Sequence, residues 1–285
     1  MAQPAAQTEL NPDLSLGGPL VLIGCGKMGG ALLEGWLARG VAPAQVTMVE
    51  PHAESAAPFT ARGVRQVTEV AEVPRDLAPA VLVLAVKPQQ MDAVAAACPA
   101  LAGPGSLTLS IAAGRTLAYF QGHLGPSAAI VRAMPNTPAA VGRGMTVLCA
   151  NPQVTQDQRS LAGALLAAVG EVAWVEDEAL LDAVTAVSGG GPAYVFLLIE
   201  CLAKAGIEAG LPESLSMQIA RATVAGAGEL VRLSDLPAST LRENVTSPGG
   251  TTLEALKVLM APEALQPLMT RAIAEATRRS RELAS

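Results

Sequence analysis

Gly24, Gly26 and Gly29, in the string Gly24-Cys25-Gly26-Lys27-Met28-Gly29, sit between an apolar run at 20–23 and a helix-forming stretch from Ala31 to Ala38. In that context GxGxxG suits a dinucleotide pyrophosphate. The first glycine turns tightly, the second lets backbone approach the anion without a Cβ, and the third packs helix on strand, leaving the anion at the helix's positive end. A Gly-rich turn that serves packing alone is the alternative. Against it, a second apolar run, Val46 to Val49, is followed by Glu50, about 20 residues past the loop, where a carboxylate would hydrogen-bond the adenosine ribose. That carboxylate would repel a 2′-phosphate and leans the site towards NADH over NADPH, though Arg62 and Arg65 lie close enough in sequence to meet a phosphate. Read blandly, Glu50 is a solvated charge before Pro51.

Further candidates lie at two more strand ends, since an open parallel sheet binds its ligand at the carboxyl edge. Ala85, Val86, Lys87 and Pro88 form one, and Ser110, Ile111, Ala112 and Ala113 the other. Small residues there leave room for ribose and nicotinamide, while Lys87 contacts a ribose or is simply solvated. Asn136 and Thr137, flanked by Pro135 and Pro138, order a turn or shape the nicotinamide pocket. In the second half, Ser188-Gly189-Gly190-Gly191-Pro192 and Ser247-Pro248-Gly249-Gly250 each precede a helical run. Both expose amides at a helix start that would attract a carboxylate, although each alone is an ordinary cap.

Two kinds of periodicity must carry these loops. From Pro19 to about Ala150, continuous β-branched runs (20–23, 46–49, 80–86, 107–111) alternate with amphipathic stretches, the rhythm of a parallel sheet covered on both faces. With 129–133 and 145–150 they predict about six strands in a doubly wound α/β Rossmann domain over residues 19–174. The helix around Ser160 to Val169 is expected to follow its last strand, and residues 175–285 read as all-α.

Composition limits the function classes. The net charge of −6 with only 15% charged residues offers no basic surface for nucleic acid. The four cysteines lack CxxC spacing and only two histidines could join them, so no metal site is expected. Residues 1–18, polar and Pro/Ala-rich without a basic start, read as a disordered tail and not as a secretory signal, which predicts a cytoplasmic protein. Uninterrupted apolar runs such as Ala193 to Ile199 are shorter than the roughly 20 residues that span a bilayer, so no membrane segment is expected.

Taken together the loops are specific. IGCGKMG (23–29), AVKP (85–88), SIAAG (110–114), RAMPNTPA (132–139), SGGGPAYVF (188–196) and ENVTSPGGTT (243–252) resemble the pyrroline-5-carboxylate reductases, from about Leu20 to the C-terminus. The resemblance implies a Rossmann domain, a helical dimerisation domain and hydride transfer from NADPH or NADH to 1-pyrroline-5-carboxylate. It implies a homodimer, with a larger ring of dimers as a further possibility. It places the SPGGTT segment, with Thr251 and Thr252, at the substrate, Glu178 lining the same site, and Asn244 on the cofactor. Because a protonated imine needs orientation more than a strong acid, the Thr252 hydroxyl is the expected catalytic group, bonding the ring nitrogen or the carboxylate, while helix-start amides from Gly249 and Gly250 to Thr252 hold the carboxylate. Departures are Gly190, where relatives often carry Ser, and Glu50, where many have a small hydroxyl residue. One rival, a β-hydroxyacid dehydrogenase, needs a lysine early in the helix after the SGGGP loop; Pro192 to Leu202 contains none and Lys204 lies more than three turns in. The other rival is a non-catalytic NAD(P)-binding protein, which fold alone does not exclude.

Overall fold

The computed structural model describes residues 14–74 and 76–284. Its first unit is a sheet of eight strands: β1 (Leu20–Ile23), β2 (Val46–Val49), β3 (Arg65–Val67), β4 (Val81–Leu84), β5 (Leu107–Ser110), β6 (Ala129–Met134), β7 (Gly144–Ala150) and β8 (Gly170–Trp174), in the order 3-2-1-4-5-6-7-8. Each strand pair is parallel except β6 with β7, so the last two strands run against the first six. β1, β2, β4 and β5 are buried along their whole length, as continuous apolar runs in a doubly covered sheet should be. The covering helices are α1 (Lys27–Ala38), α2 (Ala53–Thr60), α3 (Met91–Ala97), α4 (Leu117–Leu124) and α5 (Gln156–Ala167). Trp36 of α1 is fully buried and its indole donates to the carbonyl of Leu165 on α5 at 2.8 Å, so a large apolar surface is covered without orphaning a donor.

Three features differ from the sequence reading. β3 is a three-residue, partly exposed strand, too short to leave a period. β8 follows α5, so that helix does not close the sheet; apart from the exposed Glu171 the residues of β8 are only half-buried, and it lacks the continuous apolar signal. Within the segment expected to be a tail, residues 1–13 lie outside the described residues, whereas Leu16 is buried in the core and the Leu14 amide donates to the Arg39 carbonyl.

The second unit is helical: α7 (Gly191–Glu208), α8 (Glu213–Arg232), α9 (Ala238–Asn244), α10 (Thr251–Leu259) and the first part of α11 (Leu265–Ala284). α6 (Leu180–Val184) and a π-helical turn, Thr185–Gly189, precede it and belong to the first unit. Contacts divide the chain at Gly189–Gly190, past the change of period at Val175, because Leu181 of α6 is fully buried in the sheet's core. The last turns of α11 also join the first unit, where Ser280 Oγ donates to Asp182 Oδ1 at 2.7 Å. α7 and α8 pack closely, and the Ser216 hydroxyl donates to the Ala203 carbonyl at 2.6 Å. Much of the remaining apolar surface of this unit is exposed, including Phe196, Leu197, Leu198, Leu230 and Val258.

The helical stretch Leu180–Glu208 is long and apolar enough to cross a membrane by length and composition alone, with a mean hydropathy of 1.5 in its most apolar window. The sequence reading considered only uninterrupted apolar runs; a helical window tolerates the charges of Glu200 and Lys204 between them.

Candidate cofactor crevice and substrate loop

The turn from β1 to α1 is held by backbone contacts. Gly24 has φ +91° and its amide donates to the Val49 carbonyl at 2.9 Å. A Cβ there would lie 2.8 Å from the Ala85 carbonyl oxygen, so only glycine fits. A Cβ on Gly29 would meet the Gly24 carbonyl oxygen, which is the close helix–strand packing the motif requires. Gly26 is different: a Cβ would meet nothing within 4 Å, and the residue is the N-cap of α1 without a side-chain capping bond. The positive end of α1 therefore opens onto space, with the amides that follow Gly26 left for a ligand.

That space is a crevice of about 640 Å³ at the carboxyl ends of β1, β2 and β4. Gly24, Gly26, Glu50, Ala85, Val86 and Lys87 line it. Cys25, Lys27, Met28 and Gly29 are not among the lining residues: the Cys25 amide is taken by Glu50 and its thiol is buried, while Lys27, Met28 and Gly29 form the first turn of α1. Pro88 opens a 3₁₀ turn, and its carbonyl accepts from Arg115 Nη2 at 3.3 Å. Ile111, Ala112 and Ala113 follow β5 and are not among the crevice's lining residues. Sequence reasoning assigned no role to the other wall, although the family resemblance aligns an adenine contact near Val70: His52 and Ser55 at the start of α2, Val70 and Ala71 in a 3₁₀ turn after β3, and Ala93, Val94 and Ala97 on α3. Small apolar residues on facing elements make a slot for a flat ring. The turn Thr68–Glu72 at its edge closes on Glu72 Oε2, which accepts from the Thr68 amide at 2.7 Å, the Thr68 hydroxyl at 3.1 Å and the Glu69 amide at 3.3 Å. The Thr68 amide first, with the other two, holds the Glu72 carboxyl below the usual carboxylate range. Glu69 and Glu72, spaced as a reciprocal capping pair, were the available signal for that turn.

Glu50 is 5% exposed. Its Oε2 accepts from the Cys25 amide at 2.8 Å and its Oε1 from the His52 amide at 3.0 Å. Burial first, and the Glu50 charge second, push the Cys25 thiol up to about 12.

Elsewhere in the first unit Asn136 joins two loops. Its Oδ1 accepts from the Met145 amide at 2.8 Å, and its Nδ2 donates to the Ser188 hydroxyl at 3.2 Å within the π-helical turn. Glu178 Oε1 accepts from Arg132 Nη1 and from the Leu117 amide at the start of α4, both at 2.8 Å. In the second unit Gly249 has φ +70° and the Gly250 amide donates to the Ser247 carbonyl at 3.0 Å. Gly250 is the N-cap of α10 without a side-chain capping bond, and Thr251 and Thr252 are exposed in its first turn. Asn244, also exposed, ends α9. The candidate residues thus include a crevice on the first unit and a helix-start loop on the second, while Ile111 to Ala113 and Glu178 lie outside the crevice and Asn244 ends α9. Among the described residues no group of three or more His, Cys, Asp or Glu is arranged to hold a metal.

Residues 178–283 match the family model for pyrroline-5-carboxylate reductase dimerisation, and residues 19–114 match that for coenzyme F420-dependent NADP oxidoreductases. The chain is 41% identical over 266 residues to a pyrroline-5-carboxylate reductase of Pseudomonas aeruginosa, covering 93% of this chain and 96% of the relative. The chain belongs to the pyrroline-5-carboxylate reductase family. A solved pyrroline-5-carboxylate reductase from Coxiella burnetii superposes with a TM-score of 0.88 at 34% identity, covering 94% of this chain and 99% of that one. A pyrroline carboxylate reductase from Plasmodium falciparum, with NADP bound, superposes with a TM-score of 0.78 at 29% identity, covering 94% and 98%. Membership of the pyrroline-5-carboxylate reductases makes the chain an NAD(P)H-dependent oxidoreductase acting on a cyclic imine, and the β-hydroxyacid dehydrogenase and non-catalytic alternatives are not favoured. The family's dimerisation model also accords with the apolar face exposed on the second unit, and the protein oligomerises.

Proposed function

We propose that the crevice holds NADH in preference to NADPH and that the Gly249–Thr252 loop holds the substrate carboxylate. The observation that carries the cofactor reading is the open, uncapped start of α1 at Gly26, beside the buried carboxylate of Glu50. A pyrophosphate fits the α1 amides, a ribose diol fits Glu50, and an adenine fits the slot between Val70 and Val94. A reduced nicotinamide bound there supplies a hydride. Ala85, Val86, Lys87, Ile111, Ala112 and Ala113, at the ends of β4 and β5, border its path, and the family resemblance assigns Asn244 a cofactor contact. The Plasmodium falciparum relative with NADP bound supports a second reading, in which NADPH is used.

The reaction adds a hydride to the imine carbon and a proton to nitrogen. A protonated imine is already an electrophile, so orientation and exclusion of water suffice and no strong protein acid is needed. The exposed amides of the α10 first turn hold the carboxylate, and the Thr252 hydroxyl bonds the ring nitrogen or the carboxylate. Glu178 acts through Arg132 and α4. The functional unit is a homodimer in the cytoplasm, with the apolar faces of α7 and α8 covered by a second copy; the same cover explains why an apolar stretch such as Leu180–Glu208 needs no membrane. Nothing in the charge distribution favours nucleic acid. Deuterium carried at both C4 positions of NADH should appear at the Cδ of the proline formed, read by mass spectrometry. Proline without deuterium would rule out direct transfer.

A further inference from the structure

We propose that Glu50 is a positioning residue for the glycine loop, needed for tight binding of either nicotinamide cofactor, and that its choice between them is a second, separable effect. The inference rests on the crevice being the dinucleotide site.

The geometry of Glu50 is that of a fixed post. Its own backbone is held from β3: its amide donates to the Val67 carbonyl at 3.0 Å, and its carbonyl accepts from Gln66 Nε2 at 2.8 Å. From there the carboxylate reaches over to the β1–α1 turn and takes the Cys25 amide on one oxygen, with the His52 amide on the other. The Gly24 amide is already tied to Val49. Two consecutive amides of the loop are thus fastened to the end of β2, one by a carbonyl and the next by a carboxylate. The residue after them is Gly26, where the backbone must meet the pyrophosphate.

Cys25 is buried, so without Glu50 its amide would lose its acceptor in a place water reaches poorly. A carboxylate has about four lone-pair sites. Two are taken by main chain and the rest remain for a ribose diol, so anchoring and ribose binding do not compete.

The two roles make opposite predictions for two variants. If Glu50 only repelled a 2′-phosphate, Glu50→Gln would improve NADPH binding and Glu50→Asp, which keeps the charge, would behave as the parent. If it positions the loop, both variants fail. In Gln a single oxygen serves one amide while its own NH₂ confronts the other, and Asp falls one methylene short of Cys25.

The test is a fluorescence titration of the full-length protein and both variants with NADH and with NADPH, alongside hydrogen exchange at the Cys25 amide. The expected result is a dissociation constant at least about tenfold higher for both cofactors in Glu50→Asp, as the loss of one charge-assisted bond implies. KM for each cofactor should rise by more than kcat falls, and protection of the Cys25 amide in the cofactor-free protein should disappear. Parent-like binding by Glu50→Asp, or an absolute gain in NADPH affinity by Glu50→Gln, would overturn the proposal. If Glu50→Gln does not fold, Glu50→Asp alone decides. A parent that binds neither cofactor would instead defeat the crevice reading, and this inference with it.

Discussion

At the scale of single residues, each candidate group has a measurable signature. Thr252 is exposed in the first turn of α10, and among the described residues no hydrogen bond involves its hydroxyl. Thr252→Ala should therefore lower kcat/KM by roughly 10- to 100-fold, the range for losing one hydrogen bond to a charged or reacting group, while the melting temperature stays put. Glu178 should behave in the opposite way. Arg132 has a side chain only 5% exposed, and removing its partner strands a buried charge. Glu178→Ala should cost about 3 kcal/mol in a denaturant titration. If instead it raised KM for the imine at unchanged stability, the substrate-lining role implied by the family resemblance would be the correct one. Cys25 and Cys98 are buried, and burial first pushes each thiol up to about 12, so neither presents a thiolate at pH 8. Peptide mapping after treatment of the folded protein with a thiol reagent at that pH should find both unmodified.

Among elements, the β1–α1 turn is where sequence and structure agree most closely. Gly24 and Gly29 meet the tight-turn and close-packing demands that the motif announces, while at Gly26 a Cβ would meet nothing within 4 Å. Gly29→Ala should push α1 off the sheet and destabilise the protein by about 1–3 kcal/mol, read as a lower melting temperature together with weaker cofactor binding. The wall opposite was illegible for a physical reason. β3 has three residues and is stabilised by pairing with β2 and by the Gln66 side chain, not by any apolar period of its own, so Val70 and Ala71 could not be placed. β8 was hidden because its faces are only half buried. The acid after β2 was found by spacing, yet its bond to the Cys25 amide is a contact between residues 25 apart and no local pattern encodes it. In the second unit the Ser247–Gly250 turn was legible as a helix start, because glycine with positive φ and an uncapped first turn leave a compositional mark.

The whole molecule poses a question of partners. Phe196 is 60% exposed on α7, among several large apolar neighbours on the same unit. A patch of that kind marks an interaction surface, and the family's dimerisation model matches this region. Phe196→Asp should shift the protein towards monomer in analytical ultracentrifugation, with activity lost in proportion. The most direct test of the account is a parallel initial-rate assay of purified protein with 1-pyrroline-5-carboxylate, using NADH and NADPH over a range of concentrations. The account predicts turnover with proline as product and a higher kcat/KM for NADH than for NADPH. No turnover with either cofactor, from folded protein that binds them, would contradict it.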